Sequence, residues 1–121
     1  MNESREDYLE VIYTLIRDKG RARTGEISKI LNVTPASVTE MLQKLEKEKL
    51  VFYEKYKGVI LTKEGEKIAK KIRKKHEILV KFLKFLGVSE EVAEKDACKM
   101  EHVLQSETME KLEEFIEKLV G

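Results

Sequence analysis

The chain has one cysteine, one proline and no apolar run near the roughly 18 residues that span a bilayer. Each scarcity excludes something. A lone Cys98 cannot form an intramolecular disulfide, and a free thiol suits a reducing cytosol. Without a long apolar segment no membrane-spanning helix is expected, and the opening Met1-Asn-Glu-Ser-Arg-Glu-Asp7 is too acidic and polar for a signal peptide. A cytoplasmic protein with no membrane partner is therefore expected. CxxC and HExxH spacings are missing, which argues against zinc fingers and zinc proteases. Low-complexity stretches, internal repeats and Gly/Pro-rich linkers are missing too. A formal net charge of only +1 over 121 residues is not that of a simple basic nucleic-acid binder.

The charge that is present is unevenly spread. Residues 1–81 carry 19 Lys/Arg against 13 Asp/Glu, whereas residues 82–121 carry 5 against 10. Such asymmetry suggests a nucleic-acid-facing half and a separate acidic half, on a surface rich in Lys and Glu throughout. A chain of this size makes about one domain and gains much from a partner surface.

Hydrophobic spacing and capping residues predict a mostly α-helical chain. Ser4 is expected to cap a first helix, with Asp7 three residues on as a short-armed capping-box acid and Tyr8, Val11, Ile12 and Leu15 on its inner face, ending near Lys19-Gly20. Thr24 is expected to cap a second helix, Gly25 to Leu31, with Ile27, Ile30 and Leu31 facing inward. Asn32-Val33 forms a turn, and Thr34 caps a third helix with Pro35 at its first position, burying Val38, Met41, Leu42 and Leu45. Residues Leu50 to Leu61 read as two short strands about a turn at Lys57-Gly58. Thr62 caps a long helix from Lys63 to Leu86, basic in its first half and apolar in its second, stopped by Gly87. Ser89 and Ser106 are expected to cap a fifth helix reaching Leu104 and a sixth carrying Met109, Leu112, Phe115, Ile116 and Leu119. Helix, helix, turn, helix and β-hairpin in this order is a winged helix-turn-helix. The expected division is a DNA-binding domain over 1–62 and metal-binding and dimerisation helices over 63–121. The C-terminal third carries more apolar surface than one small protomer can cover, so a homodimer is expected.

The third helix presents short polar side chains where a backbone could approach the major groove. Thr34, Ala36, Ser37, Thr39, Glu40 and Gln43 supply that surface; Gln43 suits an adenine edge, Glu40 a cytosine edge and Ala36 a thymine methyl. Arg21, Arg23, Lys29 and Lys44 would flank as phosphate contacts, with Lys55, Tyr56 and Lys57 at the wing.

Cys98-Lys-Met-Glu101-His102 sets a thiol, a carboxylate and an imidazole at i, i+3 and i+4, one face of a helix. Asp7 and Glu10 repeat the i, i+3 spacing in the first helix, and His76 follows a basic run. Each alone reads as surface or core. Together they make a mixed oxygen, nitrogen and sulfur set that suits Fe2+ or Mn2+ more than a structural zinc.

These segments resemble the metal-dependent repressors of the diphtheria toxin repressor and manganese transport regulator group, across nearly the whole chain. The resemblance is carried by Glu6-Asp-Tyr-Leu-Glu-Val-Ile-Tyr13, Thr34-Pro-Ala-Ser-Val-Thr39, Tyr53-Glu-Lys-Tyr-Lys-Gly58, Arg73-Lys-Lys-His76 and Ala97-Cys-Lys-Met-Glu-His-Val103. It implies metal ligands at Asp7, Glu10, His76, Cys98, Glu101 and His102. Against the manganese branch Cys98 replaces a Glu; against the iron branch Asp7 replaces a Met, so the chain is a hybrid. Glu94 stands where the iron branch has an ancillary ligand histidine, which leaves a second ion open. The resemblance further implies a short form without the SH3-like domain, and a dimer on palindromic operator DNA.

The expected function is a metal-responsive transcriptional regulator, most simply a repressor, that binds double-stranded operator DNA as a homodimer when loaded with Fe2+ or Mn2+. A winged-helix regulator without metal control would share the fold and lack the coupled ligands. An enzyme is not expected: no motif suggests an open coordination position beside a general base, and no small-molecule substrate is implied.

Overall fold

The computed structural model describes residues 3–120; Met1 and Asn2, at the start of the acidic N-terminal stretch, and Gly121, the end of the expected 63–121 region, lie outside the described residues. Six helices and one hairpin follow in the order α1 (Glu3–Lys19), α2 (Thr24–Leu31), α3 (Pro35–Lys47), β1 (Val51–Glu54), β2 (Gly58–Leu61), α4 (Lys63–Phe85), α5 (Glu90–Met100) and α6 (Ser106–Val120). The chain divides into two compact units, residues 1–70 and 71–121. The boundary falls inside α4 because Ile68 and Ala69, on its second turn, belong to the core of the first unit.

That first core is built from Leu9, Ile12 and Leu15 of α1, Ile27 of α2, Val38, Leu42 and Leu45 of α3, and Val51 and Val59 of the hairpin. Leu9 rather than Val11 completes the buried stripe of α1, and Val11 packs only at its margin. Fully burying a Leu or Ile contributes about 1.5–3 kcal/mol, so this cluster is the main force holding α3 in place. Ile30 does not join it and is 56% exposed. In a helix of two turns, the Ile27–Leu31 pair at i, i+4 takes the inner face and turns Ile30 away.

Helix ends follow local chemistry, with several differences from expectation. Ser4 lies inside α1, which already includes Glu3, a residue type with good intrinsic helix propensity. Thr24 is the first residue of α2; Arg23 occupies the cap position, and its N–H donates to the Glu26 carboxylate at 3.3 Å. Arginine has no acceptor with which to return that bond. Asn32 closes α2 in the left-handed region, at φ 54°. Thr34 caps α3 as expected, its Oγ1 accepting from the Ser37 N–H at 3.1 Å, with Pro35 behind it.

The strands pair antiparallel, Val51 opposite Leu61 and Glu54 opposite Gly58. The turn is Lys55–Lys57, with Tyr56 at φ 71°, and Gly58 opens β2 instead of forming the turn. Glycine is needed there for another reason: a Cβ at Gly58 would sit 2.4 Å from the Ala22 carbonyl oxygen. That carbonyl accepts from the Val59 N–H at 2.9 Å, pinning the segment before α2 to the hairpin. Glu46 of α3 accepts from the Tyr53 N–H at 2.9 Å, and Thr62 Oγ1 both donates to the Lys49 carbonyl and accepts from the Gly65 N–H. The hairpin is thereby tied to α3 on one side and to the start of α4 on the other.

In the second unit Leu79, Ala97 and Met109 form the centre of the core, from α4, α5 and α6. Gly87, at φ 100°, ends α4, and Ser89 Oγ caps α5 through the Val92 N–H. Helix α5 stops at Met100, short of the expected Leu104. Its backbone tightens there: the His102 and Val103 N–H groups donate three residues back, to Lys99 and Met100. Ser106 is helical, and the Gln105 carbonyl accepts the first bond of α6 from the Met109 N–H. Phe115 is 43% exposed and packs edge-to-face with Phe82 and Phe85, at centroid distances of 6.1 and 5.9 Å. With Leu86, Val103 and Leu119 also exposed, this unit leaves a large apolar surface uncovered within one chain. No described helix is long and apolar enough to cross a membrane.

Candidate metal centre and nucleic-acid interface

Among the described residues of the second unit His76 and Glu101 are buried, 3% and 2% exposed, and the His102 side chain is closed to a similar degree. Burial of a carboxylate is costly without compensation, so its partners matter. Glu101 Oε2 lies 2.9 Å from His76 Nδ1, and Cys98 Sγ lies 3.9 Å from the same nitrogen. On the other side of the ring, His76 Nε2 meets Glu94 Oε2 at 2.6 Å. His102 Nε2 lies 3.5 Å from Glu101 Oε1, an oxygen that accepts no hydrogen bond among the described residues.

The local fold produces this convergence. Glu94 and Cys98 stand one turn apart on α5, and the tightened turn after Met100 carries Glu101 and His102 on without reversing the chain. His76 comes from the middle of α4. Glu101 and His102 thus lie just past the helix rather than on its face, yet Glu101 keeps helical angles, φ −59° and ψ −23°, so the i, i+3 proximity to Cys98 survives.

The Cys98 thiol and the Glu101 and Glu94 carboxylates favour the protonated ring against the cost of burial, and together hold His76 up to about 11, far above its ordinary 6.5. The carboxylates make the shorter contacts and carry the larger charge. Two imidazoles, one thiol and one buried carboxylate with an oxygen that lacks a donor fit a divalent transition-metal ion. The buried oxygen is the decisive part, since a cation satisfies it where no N–H does.

Asp7 and Glu10 belong to the first unit, one turn apart on α1 and half-buried. Of the six expected ligands, the second unit therefore assembles His76, Cys98, Glu101 and His102. It adds Glu94, whose contact with His76 the spacing within α5 could not reveal.

The residues expected to read DNA lie in the first unit. Val38, Leu42 and Leu45 anchor α3, leaving Thr34, Ala36, Ser37, Glu40, Gln43 and Lys44 exposed and Thr39 half-buried. The Thr34 hydroxyl is occupied by capping and by donation to Ser37 Oγ at 2.9 Å. Glu40 sits 3.8 Å from Lys44, which offsets its charge. At the wing Tyr56 is 88% exposed, with Lys55 Nζ 5.3 Å from its ring centre and Lys57 alongside. A cavity of about 340 Å³ opens between this wing and the start of α2, lined by Arg23, Tyr53, Lys55 and Tyr56 among others.

Residues 1–59 match the family described as iron dependent repressor, N-terminal DNA binding domain, and residues 62–120 match the iron dependent repressor, metal binding and dimerisation domain. The chain is 43% identical over 114 residues to the HTH-type transcriptional regulator MntR of Geobacillus kaustophilus, covering 94% of this chain and 81% of that protein. It is 46% identical over 120 residues to an uncharacterised HTH-type transcriptional regulator of Methanocaldococcus jannaschii, covering 98% and 96%. Among solved structures it superposes on the manganese regulator SloR with a TM-score of 0.81 at 31% identity, over 93% of this chain but only 53% of that longer one. Both halves of the sequence and their folds agree: the chain belongs to the iron-dependent repressor family, as a dimeric, metal-responsive, DNA-binding transcriptional regulator and not an enzyme.

Proposed function

We propose that this protein represses transcription when loaded with Mn2+ or Fe2+, through a centre made by Asp7, Glu10, His76, Cys98, Glu101 and His102. The observation that carries this reading is the buried Glu101 carboxylate, held between two histidines with one oxygen lacking a hydrogen-bond donor. A divalent cation bound there supplies the positive charge that this oxygen lacks. Asp7 adds a hard oxygen donor, which favours manganese, and Cys98 adds a soft sulfur donor, which favours iron.

The residues divide the work. His76, Cys98, Glu101 and His102 supply the donors of the dimerisation domain, residues 63–121. Asp7 and Glu10 supply those of the DNA-binding domain, residues 1–62. Ligands drawn from both domains make metal affinity depend on the DNA-competent arrangement, so by linkage operator DNA tightens metal binding by the same factor. A typical coupling of about 1–3 kcal/mol is enough to switch repression over a narrow metal range. In the DNA-competent dimer, the exposed faces of the two α3 helices read half-sites of a palindrome about 34 Å apart, with Gln43, Glu40 and Ala36 toward base edges. Arg23, Lys44, Tyr56 and Lys57 contact the backbone, beside Thr34, Ser37 and Thr39. The protein acts in the cytoplasm, where DNA and a reduced thiol coexist.

The test is an anaerobic titration of operator binding by fluorescence anisotropy, with Mn(II), Fe(II), Co(II) and Zn(II) compared in parallel. Operator affinity that rises with Mn(II) or Fe(II) and returns on chelation supports the reading. Affinity indifferent to every metal and to chelator rejects it and leaves a winged-helix regulator without metal control.

A further inference from the structure

We infer that Glu94 is a positioning residue for the metal centre: it accepts a hydrogen bond from His76 Nε2–H and so presents Nδ1 to the metal. The inference rests on the proposed function and adds a role for a residue outside the six proposed ligands. His76 is bounded on both sides. Nδ1 faces Glu101 Oε2 at 2.9 Å and Cys98 Sγ at 3.9 Å, and so points into the donor cluster. Nε2 faces Glu94 Oε2 at 2.6 Å, away from it.

A neutral imidazole carries one proton, and only its bare nitrogen can coordinate. If the proton stayed on Nδ1, the lone pair would point at Glu94 and the cluster would face an N–H. A carboxylate on Nε2 removes that choice, because it can only accept. The same bond fixes the ring's rotation about its long axis and makes Nδ1 a stronger donor. Glu94 suits such a role better than that of a ligand. Its side chain is 49% exposed, while those of Glu101 and His102 are at most 2% exposed. Its nearest partner is the far side of the ring, not the donor cluster.

Loss of a carboxylate in this position typically weakens metal binding by about 10–100-fold. Because Glu94 is half-exposed, water can take its place, so the low end, about tenfold, is expected.

The experiment loads the full-length protein with Cd(II) and compares it with Glu94→Gln and Glu94→Ala. Affinity and stoichiometry are read by competition titration, and the His76 ring by long-range 1H–15N correlation and by 113Cd–15N coupling. In the unaltered protein His76 is expected to bind cadmium through Nδ1 with Nε2 protonated. Affinity is expected to fall in the order Glu, Gln, Ala, with the same number of cadmium equivalents in all three and unchanged dimerisation. Coordination through Nε2, equal affinities, or loss of one whole equivalent in Glu94→Ala would each overturn the inference, the last by making Glu94 a ligand. Failure of the unaltered protein to bind cadmium at all would instead reject the metal centre itself.

Discussion

His76 and Glu101, 25 positions apart, meet at 2.9 Å in a place closed to solvent. No local rule of chain geometry brings them together; the packing of α4 against α5 and α6 around Leu79, Ala97 and Met109 does. The neighbours of His76 favour the protonated ring, and a metal ion in the proposed centre would have to displace a proton from it.

The first expectation concerns the ligands. Glu101→Ala or His102→Ala should abolish metal-stimulated operator binding while leaving the dimer intact, as measured by anisotropy together with sedimentation. Unaltered stimulation in either variant removes that residue from the centre.

The second concerns pH. The folded value of His76, about 11, lies above the ordinary 6.5, so its proton stabilises the metal-free fold fully below pH 6.5, and that contribution is lost as pH rises from there toward 11. The urea midpoint of the metal-free protein should therefore fall between about pH 7 and pH 9, and fall less in His76→Gln. Metal affinity should move the opposite way, rising with pH as the proton that metal displaces becomes easier to remove. Parallel pH curves for the two proteins would contradict this assignment.

The third concerns the joint between wing and α4. A Cβ on Gly65 would lie 2.0 Å from the Leu50 carbonyl oxygen, which is backbone and cannot step aside. Gly65→Ala should destabilise the first unit by more than about 2 kcal/mol, a size reserved for backbone clashes and core defects. Gly25→Ala, with nothing within 4 Å, is the control: helical propensity predicts a neutral effect or a gain of up to about 1 kcal/mol. Thermal melts of both variants decide it.

The fourth separates reading from holding. Gln43→Ala should cost about 1–3 kcal/mol on the preferred operator and relax preference at one base position. Lys44→Ala should weaken all duplexes alike and lower the salt slope by about one. A selection experiment over randomised operators, repeated at two salt concentrations, distinguishes the two.

Features governed by neighbours in the chain were legible in advance. Thr34, Thr62 and Ser89 cap helices because a hydroxyl three residues ahead of an orphan N–H is a local arrangement. The winged order of elements, the buried stripe of α3 and the basic and acidic halves follow from periodicity and composition in the same way. Other local features differ: Ser4, Thr24 and Ser106 lie inside their helices, and α5 stops at Met100. Ile30 faces solvent because a two-turn helix can bury only one stripe, and the core chose Ile27 with Leu31. Gly58 begins a strand because the Ala22 carbonyl lies against it, a contact no window of sequence contains.

The candidate centre divides along the same line. The residue types of Cys98, Glu101 and His102 and their spacing named the chemistry, since donor identity is written in the side chains. Which nitrogen of His76 faces the cluster, which oxygen of Glu101 lacks a donor, and that Glu94 backs the ring depended on long-range packing. Ligand identity is a one-dimensional property of the polypeptide. Ligand orientation is not, because an imidazole can turn either nitrogen toward a site until residues from another helix close around it.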